Sequence, residues 1–372
     1  MSGGRPLGIG LIGCGSFGLF CLDAFSTMPE VRISAVADSR AEAAETAGRR
    51  FNAAVHTDWH ELLARGDVDI VHVATPPASH HELVLAALSA GKHALCEKPL
   101  ALNTDQADEM LAAADRAGRI APVNFVMRHN AVAAAAGEII RSRVLGKPLA
   151  GRLTNCAFDT YMPPGHWFWD HSVSGGIFIE HGVHFFDLHT RWLGPATVLS
   201  AHTETREGSG VEDRVTCRLR HEDGAIVSHY HGFDQIEPMD RADHRIICEL
   251  GEVRVLGWIP MQLEVEAAVN DETQQRLEQC CRGCEVENLR DLSDEQGRLV
   301  GRGKQRDVTR IIRLGWQPYD DKAATYAASI RALLADQIAY IRDPSHRREV
   351  TEQDGRDALA VAQQAAGMAA TG

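Results

Sequence analysis

No stretch of the chain approaches the roughly 18 consecutive apolar residues that a membrane-spanning helix needs. The nearest imitation is the uncharged run from Leu7 to Leu22, preceded by Arg5. Its five glycines suit a tight turn better than the core of a signal helix, so neither a membrane nor a secretory route is expected. Positive charge is also scarce. Against 51 Asp and Glu stand only 38 Lys and Arg, a formal balance of −13, so no global field attracts a phosphate backbone and nucleic acid is not an expected partner. A paired disulfide framework is missing too, because the nine cysteines are an odd set, mostly inside apolar runs where a thiol acts as a small hydrophobe. A reducing compartment follows, and the expected location is cytoplasmic. The single CxxC at Cys281 to Cys284 has no second pair, and the carboxylate and histidines at Glu180, His181, His184 and His189 lack the HExxH spacing, so no metal is expected.

What remains is a soluble globular composition, 44% hydrophobic and 24% charged, over 372 residues, enough for two domains with real cores. In the first third, short apolar runs alternate with helical patterns, the mark of βαβ units and a parallel sheet. The runs are Leu7 to Ile12, Val31 to Ala37, Val68 to Ala74, His93 to Cys96 and Ile120 to Val126. Between them Phe17 to Thr27, Arg40 to Phe51, Ser79 to Ala90 and Asp105 to Ala117 read as helices, with Gly91 and Gly118 as stop signals. Residues 1–125 therefore form a dinucleotide-binding type of α/β domain. Residues 126–372 read as an α+β domain with a largely antiparallel sheet, bracketed by helices at Val132 to Val144, Gly175 to Leu193, Lys322 to Arg342 and Gln353 to Ala370. Within it, Glu278 to Gln305 is polar and glycine-punctuated and is expected to be an insertion or mobile loop.

The motif with the clearest chemistry is Gly13-Cys14-Gly15-Ser16-Phe17-Gly18, which follows an apolar strand and opens a helix. Asp38 stands at the end of the next strand, 20 residues after Gly18. That context assigns the three glycines to the turn, to close approach of a pyrophosphate and to helix packing, with the phosphates on the helix N-terminus. Asp38, followed by Ser39 and Arg40, accepts ribose hydroxyls and repels a 2′-phosphate, so NAD is expected; Arg40 keeps NADP possible.

Four matches in order make the sequence resemble the Gfo/Idh/MocA oxidoreductases, the family of glucose-fructose oxidoreductase and inositol dehydrogenase. They are the Gly13 to Gly18 turn, Thr75-Pro76-Pro77-Ala78-Ser79-His80, the run from Ala90 to Pro99 containing Glu97-Lys98-Pro99, and Gly175-Gly176 followed by Glu180, Gly182, His184 and Asp187. The resemblance implies that Thr75, Pro76, His80, Glu97 and Lys98 border the nicotinamide half of the cofactor. It also implies that Lys98, Glu180 and His184 are catalytic. An ammonium at Lys98 can stabilise an alkoxide, a histidine at His184 can take the hydroxyl proton, and a carboxylate four residues before it can orient that ring. The family more often has Asp where this chain has Glu180. Lys98, Glu180, His184, Asp187, Trp167 and Trp169 are the expected substrate contacts, the two tryptophans because aromatic faces suit a sugar ring.

The function implied is NAD(P)-dependent hydride transfer between nicotinamide and a secondary alcohol or ketone of a sugar, polyol or related cyclic substrate. An NAD-dependent glycosidase working by transient oxidation and a non-catalytic nucleotide-binding regulator are the rival readings. A homo-oligomer, dimer or tetramer, is expected.

Overall fold

The computed structural model describes residues 5–295 and 298–371. The ends of the two expected domains, residues 1–4 and 372, and positions 296 and 297 of the expected loop lie outside the described residues.

Contacts divide the chain into two compact units that are not contiguous halves. The first takes residues 1–129, 164–187 and 326–363, and the second takes 130–163, 188–325 and 364–372. Two later segments, 164–187 and 326–363, thus group with the N-terminal residues.

The first unit is built on a five-stranded sheet ordered Ala54–His56, Val31–Ala37, Leu7–Ile12, Ile70–Val73, His93–Cys96, all parallel. Apart from the edge strand Ala54–His56, its strands are largely buried on both faces, which is why they read as continuous apolar runs; Ile9, Leu11, Val71, Val73 and Leu95 are in the core. The strand order reverses beside Leu7–Ile12, and at such a switch point open α/β sheets leave a crevice outside the carboxyl ends of their strands. The helices Ser16–Ser26, Ala41–Phe51, His80–Ser89 and Thr104–Ala117 fall within two residues of their sequence bounds. The last ends at Gly118 in the left-handed region, as its stop signal requires.

Two expectations for this unit change. Ile120 to Val126 is not a strand but a partial one. Ala94 and Cys96 donate N–H bonds to Ile120 and Pro122, and Asn124 returns one to Cys96, but Pro122 has no N–H to give, so only an isolated bridge forms at Val123. Gly175 to Leu193 is not one α-helix. Gly175 and Gly176 both hold positive φ, a π-type turn follows at Phe178–Gly182, and the α-helix proper is Val183–Leu193. The short strand Ala54–His56 and helix Trp59–Leu63 are additions that the sequence reading lacks.

The second unit carries a mixed nine-stranded sheet ordered Glu285–Asp291, Arg310–Trp316, Gln262–Val269, Gly251–Leu256, Arg241–Cys248, Pro148–Phe158, Ile226–Gln235, Glu212–His221, Ala196–Thr205. All neighbours are antiparallel except Pro148–Phe158 and Ile226–Gln235. Residues alternate between a buried and a more open face, as in Glu212–His221. The expected mobile segment is mostly ordered structure. Glu285–Asp291 is an edge strand, polar because every one of its residues is exposed, and Val300–Gly301 pairs with Lys304–Gln305 in a small hairpin. On the buried face His189 lies 3.1 Å from His229 and 2.9 Å from His244, a chain of three imidazoles that burial keeps uncharged.

All nine cysteines are free, and all but Cys280 and Cys284 are buried. No helix among the described residues is long and apolar enough to cross a membrane.

Candidate functional site

The glycine-rich turn has a steric reason at each glycine. Gly13 holds φ +99°, and a Cβ there would sit 2.5 Å from the Ala74 carbonyl oxygen. At Gly18 a Cβ would sit 2.4 Å from the Gly13 carbonyl, so only glycine lets the helix close onto the strand. Gly15 is different. A Cβ there would meet nothing within 4 Å, so the residue keeps a space open rather than avoiding a protein neighbour. It is the N-cap of Ser16–Ser26, a helix with no side-chain cap and no acid in its first turn, which leaves its positive end for an anion.

These residues open a cavity of about 730 Å³ within the first unit, lined at one end by Gly13, Gly15, Ser16, Phe17 and Gly18 and flanked by Asp38, Ser39 and Arg40. Asp38 accepts from Cys14 N–H at 2.9 Å and from the Arg40 main-chain N–H at 2.9 Å, with the Arg40 guanidinium 3.1 Å away. Burial alone would raise this carboxyl, but the bonds from Arg40 and Cys14 outweigh it and hold Asp38 below the usual carboxylate range. Thr57 and Trp59 also line this end. Sequence reasoning missed both, since they follow a three-residue strand and begin a five-residue helix, too short for any periodicity.

Farther along the cavity come Thr75, Pro76, Glu97, Lys98, His166, Trp167 and Glu180. Lys98 leaves the end of His93–Cys96, donating to the Glu180 carboxylate and, at 3.2 Å, to its main-chain oxygen. Glu97, only 6% exposed, accepts from Asn124 Nδ2 at 2.7 Å. Burial pushes its carboxyl up to about 7, against the pull of Asn124 and Lys98.

Four expected residues stand off the cavity. His80 is fully buried, with its ring nitrogens 2.7 Å from the Pro99 carbonyl and 2.8 Å from the Thr75 carbonyl, so it braces the two cavity loops from behind. His184 is 3% exposed and does not line the cavity; burial, reinforced by Lys98, pushes its pKa well down and keeps it neutral. The π-type turn between Glu180 and His184 removes the α-helical spacing that would have stacked them on one face. Asp187 is buried against Arg128, which donates to both carboxylate oxygens at 2.6 to 3.1 Å and also contacts Asp354 at 2.9 Å. Asp187 therefore neutralises Arg128 and does not line the cavity. Trp169 packs edge-on against Phe168 at 4.8 Å, so of the two expected tryptophans only Trp167 lines the cavity.

Comparison with known proteins agrees with the fold. Residues 7–125 match the family model described as the Gfo/Idh/MocA oxidoreductase family with an NAD-binding Rossmann fold, and residues 133–254 match the model of that family's C-terminal domain. A 1,5-anhydro-D-fructose reductase from Ensifer adhaerens is 34% identical over 48% of this chain and 54% of its own length. A D-apiose dehydrogenase from Paraburkholderia graminis is 33% identical over 58% and 57%. The chain thus spans little more than half the length of these curated relatives. Solved structures align over nearly the whole chain. A levoglucosan dehydrogenase in complex with NADH and L-sorbose superposes with a TM-score of 0.77 at 20% identity, covering 99% of this chain and 98% of that one. The WlbA dehydrogenase from Bordetella pertussis, bound to NADH and UDP-GlcNAcA, gives 0.79 at 19% identity over 99% and 96%. At such identities the likeness is one of fold.

Proposed function

Because the chain belongs to the Gfo/Idh/MocA family of oxidoreductases with an NAD-binding Rossmann fold, we propose that it is an NAD-dependent dehydrogenase or reductase of a secondary alcohol or ketone in a sugar, polyol or related cyclic compound. The observation that carries this reading is the Lys98 and Glu180 ion pair in the same cavity as the glycine turn and Asp38. The residues fit the cofactor. The open space at Gly15 and the uncapped helix suit a pyrophosphate, and Asp38 with Ser39 and Arg40 suits an adenosine ribose. Bound nicotinamide supplies the hydride acceptor or donor.

The protein's own part is positioning and proton handling. Lys98 donates to the substrate oxygen and stabilises negative charge as it develops there. Glu180 fixes that ammonium and sets a carboxylate in the cavity that can accept a hydroxyl proton. His184, neutral and set behind the cavity wall, is in the protonation state a proton acceptor needs. Because it is off the cavity, the Lys98 and Glu180 pair meets the substrate first. Trp167, beside His166, offers an apolar ring face to a sugar.

Names of relatives support sugars as the class: anhydrofructose, apiose and, in a Thermotoga maritima relative 31% identical over 48% of this chain, myo-inositol. A panel of sugars, anhydrosugars and polyols with NAD, followed at the reduced-nicotinamide absorbance, tests the reading. Turnover of a cyclic polyol or sugar is expected. Tight NAD binding with no turnover in either direction across the panel would favour a regulator, and release of a sugar leaving group without net NADH would favour glycoside cleavage.

A further inference from the structure

Glu97 sits beside the catalytic lysine in sequence, yet its carboxyl turns into the core. Its Oε1 is 2.7 Å from Asn124 Nδ2, 3.4 Å from His72 Nε2 and 4.0 Å from Cys21 Sγ. His72 is fully buried on the strand Ile70–Val73, and neither of its ring nitrogens has a hydrogen-bond partner. A buried carboxyl next to an unpartnered imidazole is costly as an isolated anion, whereas one proton on the pair leaves it neutral.

We propose that Glu97, enclosed with His72, is a proton site governed by the charge of the nicotinamide: the pair keeps its proton when the cavity holds no cofactor or the reduced one, and gives it up when the oxidised cofactor binds. The inference rests on the NAD-binding reading above. Glu97 lines the same cavity as Lys98, Thr75 and Pro76. NAD+ carries a positive charge on the ring that NADH lacks, and a neighbouring unit charge of opposite sign lowers a carboxyl pKa by roughly 1–3 units. The balance is simple. Protonated protein plus NAD+ gives the carboxylate complex plus one solvent proton. When hydride then reduces the ring, the carboxylate regains a proton, so the proton lost by the substrate hydroxyl is retained through NADH release and leaves when the next NAD+ binds.

Other groups facing Glu97 do not compete. From the helix Ser16–Ser26 comes Cys21, from the preceding residue Cys96, and from the helix Lys322–Arg342 comes Tyr326; burial raises all three and keeps them neutral. His72 is pushed down to about 3 by burial, with His80 adding to the effect. Lys98 and Glu180 are the remaining charged neighbours, and they pair with each other. With Glu97 at about 7 before binding, its ionisation falls in the accessible range.

The test is binding on the intact protein without substrate. Calorimetry across pH 6 to 8 should give NAD+ about tenfold weaker binding at pH 6 than at pH 8, with NADH affinity nearly flat over the same range. In weak buffer at pH 6.5, an indicator dye should report proton release on adding NAD+ and none on adding NADH. Glu97→Gln should abolish both differences while still binding the two cofactors. Parallel pH profiles for the two cofactors in the wild-type protein would overturn the inference, as would a profile unchanged by Glu97→Gln. Failure of both cofactors to bind at any pH would instead strike the reading beneath it, and the inference with it. The wild-type measurements decide the matter even if the variant does not fold.

Discussion

Lys98 reaches Glu180 across 82 positions of sequence, through both a carboxylate and a main-chain oxygen, and that double hold fixes where its ammonium points. Lys98→Ala should lower kcat by about 10²- to 10³-fold, the loss typical of removing one donor that stabilises developing charge, while NAD affinity changes little. Glu180→Gln keeps the shape but leaves the ammonium without its counter-charge, and a fall of similar order is expected. Steady-state rates and cofactor titrations on both variants check this; a collapse of NAD binding with unimpaired chemistry would move Lys98 to the cofactor. Asp38 is the second test at this scale. Its replacement by Ala should weaken NAD by roughly 10- to 100-fold, the worth of about 1.5–3 kcal/mol for hydrogen bonds to a charged group, and release Arg40 to meet a 2′-phosphate. Competitive titration of NAD and NADP decides it, and equal affinities in the wild-type protein would mean that Arg40 already governs the choice. Residue identities in the motifs were readable from sequence, but their orientations were not. His80 and Asp187 look like site residues because both are polar and near the motifs, yet one braces two carbonyls and the other neutralises Arg128. Thr75 is five positions from His80, but Pro99 and Arg128 lie 19 and 59 positions from the residues they hold, beyond the reach of any local pattern.

The strand, turn and helix around Gly13 to Gly18 form the element on which binding depends. Because a Cβ at Gly15 would meet no protein atom within 4 Å, Gly15→Ala should leave thermal stability nearly unchanged and abolish cofactor binding, separating two effects that Gly18→Ala would confuse. Thermal denaturation paired with an NAD titration tests it; a variant that still bound NAD would show that the open space serves something else. Legibility in advance followed apolar patterning rather than length: the short buried strands Leu7–Ile12, Val31–Ala37 and His93–Cys96 have the bounds of their apolar runs, while the eleven-residue strand Pro148–Phe158 and the ten-residue polar helix Asp271–Cys280 did not stand out. The helix Lys322–Arg342 matched residue for residue, whereas Ala54–His56 and the π-type turn gave no period to find. The edge strand Glu285–Asp291 was missed for another reason, since an exposed strand carries a loop's composition. The imidazole chain of His189, His229 and His244 sets a pH dependence. Folding holds these rings neutral, while in the unfolded chain each takes a proton near pH 6.5, so their contribution is present above about that pH and is lost as pH falls toward about 4, the value for His244. His221 and His231 in the same unit act in the same direction, and Glu97, opposite in sign, is one group against five. Urea unfolding at pH 7.5, 6.5 and 5.5 should show a steady loss of stability with acid, shallower in His189→Leu; a flat profile would show that the rings charge without penalty.

At the scale of the whole molecule, the more open face of the nine-stranded sheet carries Arg152, Thr154, Ser200, His202, Thr216, Ser228 and Tyr230 around a shallow hollow of about 510 Å³. A sheet face of this breadth is expected to be covered by a second copy of the chain. Sedimentation or light scattering should give a dimer or larger at micromolar concentration, and Thr216→Arg, adding charge at its centre, should shift the distribution toward monomer. A monomer in the wild-type protein would refute this. The discontinuous make-up of the two units bears on recombination. Splicing this N-terminal half at residue 125 onto a relative's C-terminal half would exchange Glu180 and Trp167 while keeping Lys98, although all three belong to the first unit. Such a chimera would inherit a cavity with mismatched parentage, so the proposed specificity travels as one heritable module only when 164–187 moves together with 1–129 and 326–363, three segments that need five crossovers.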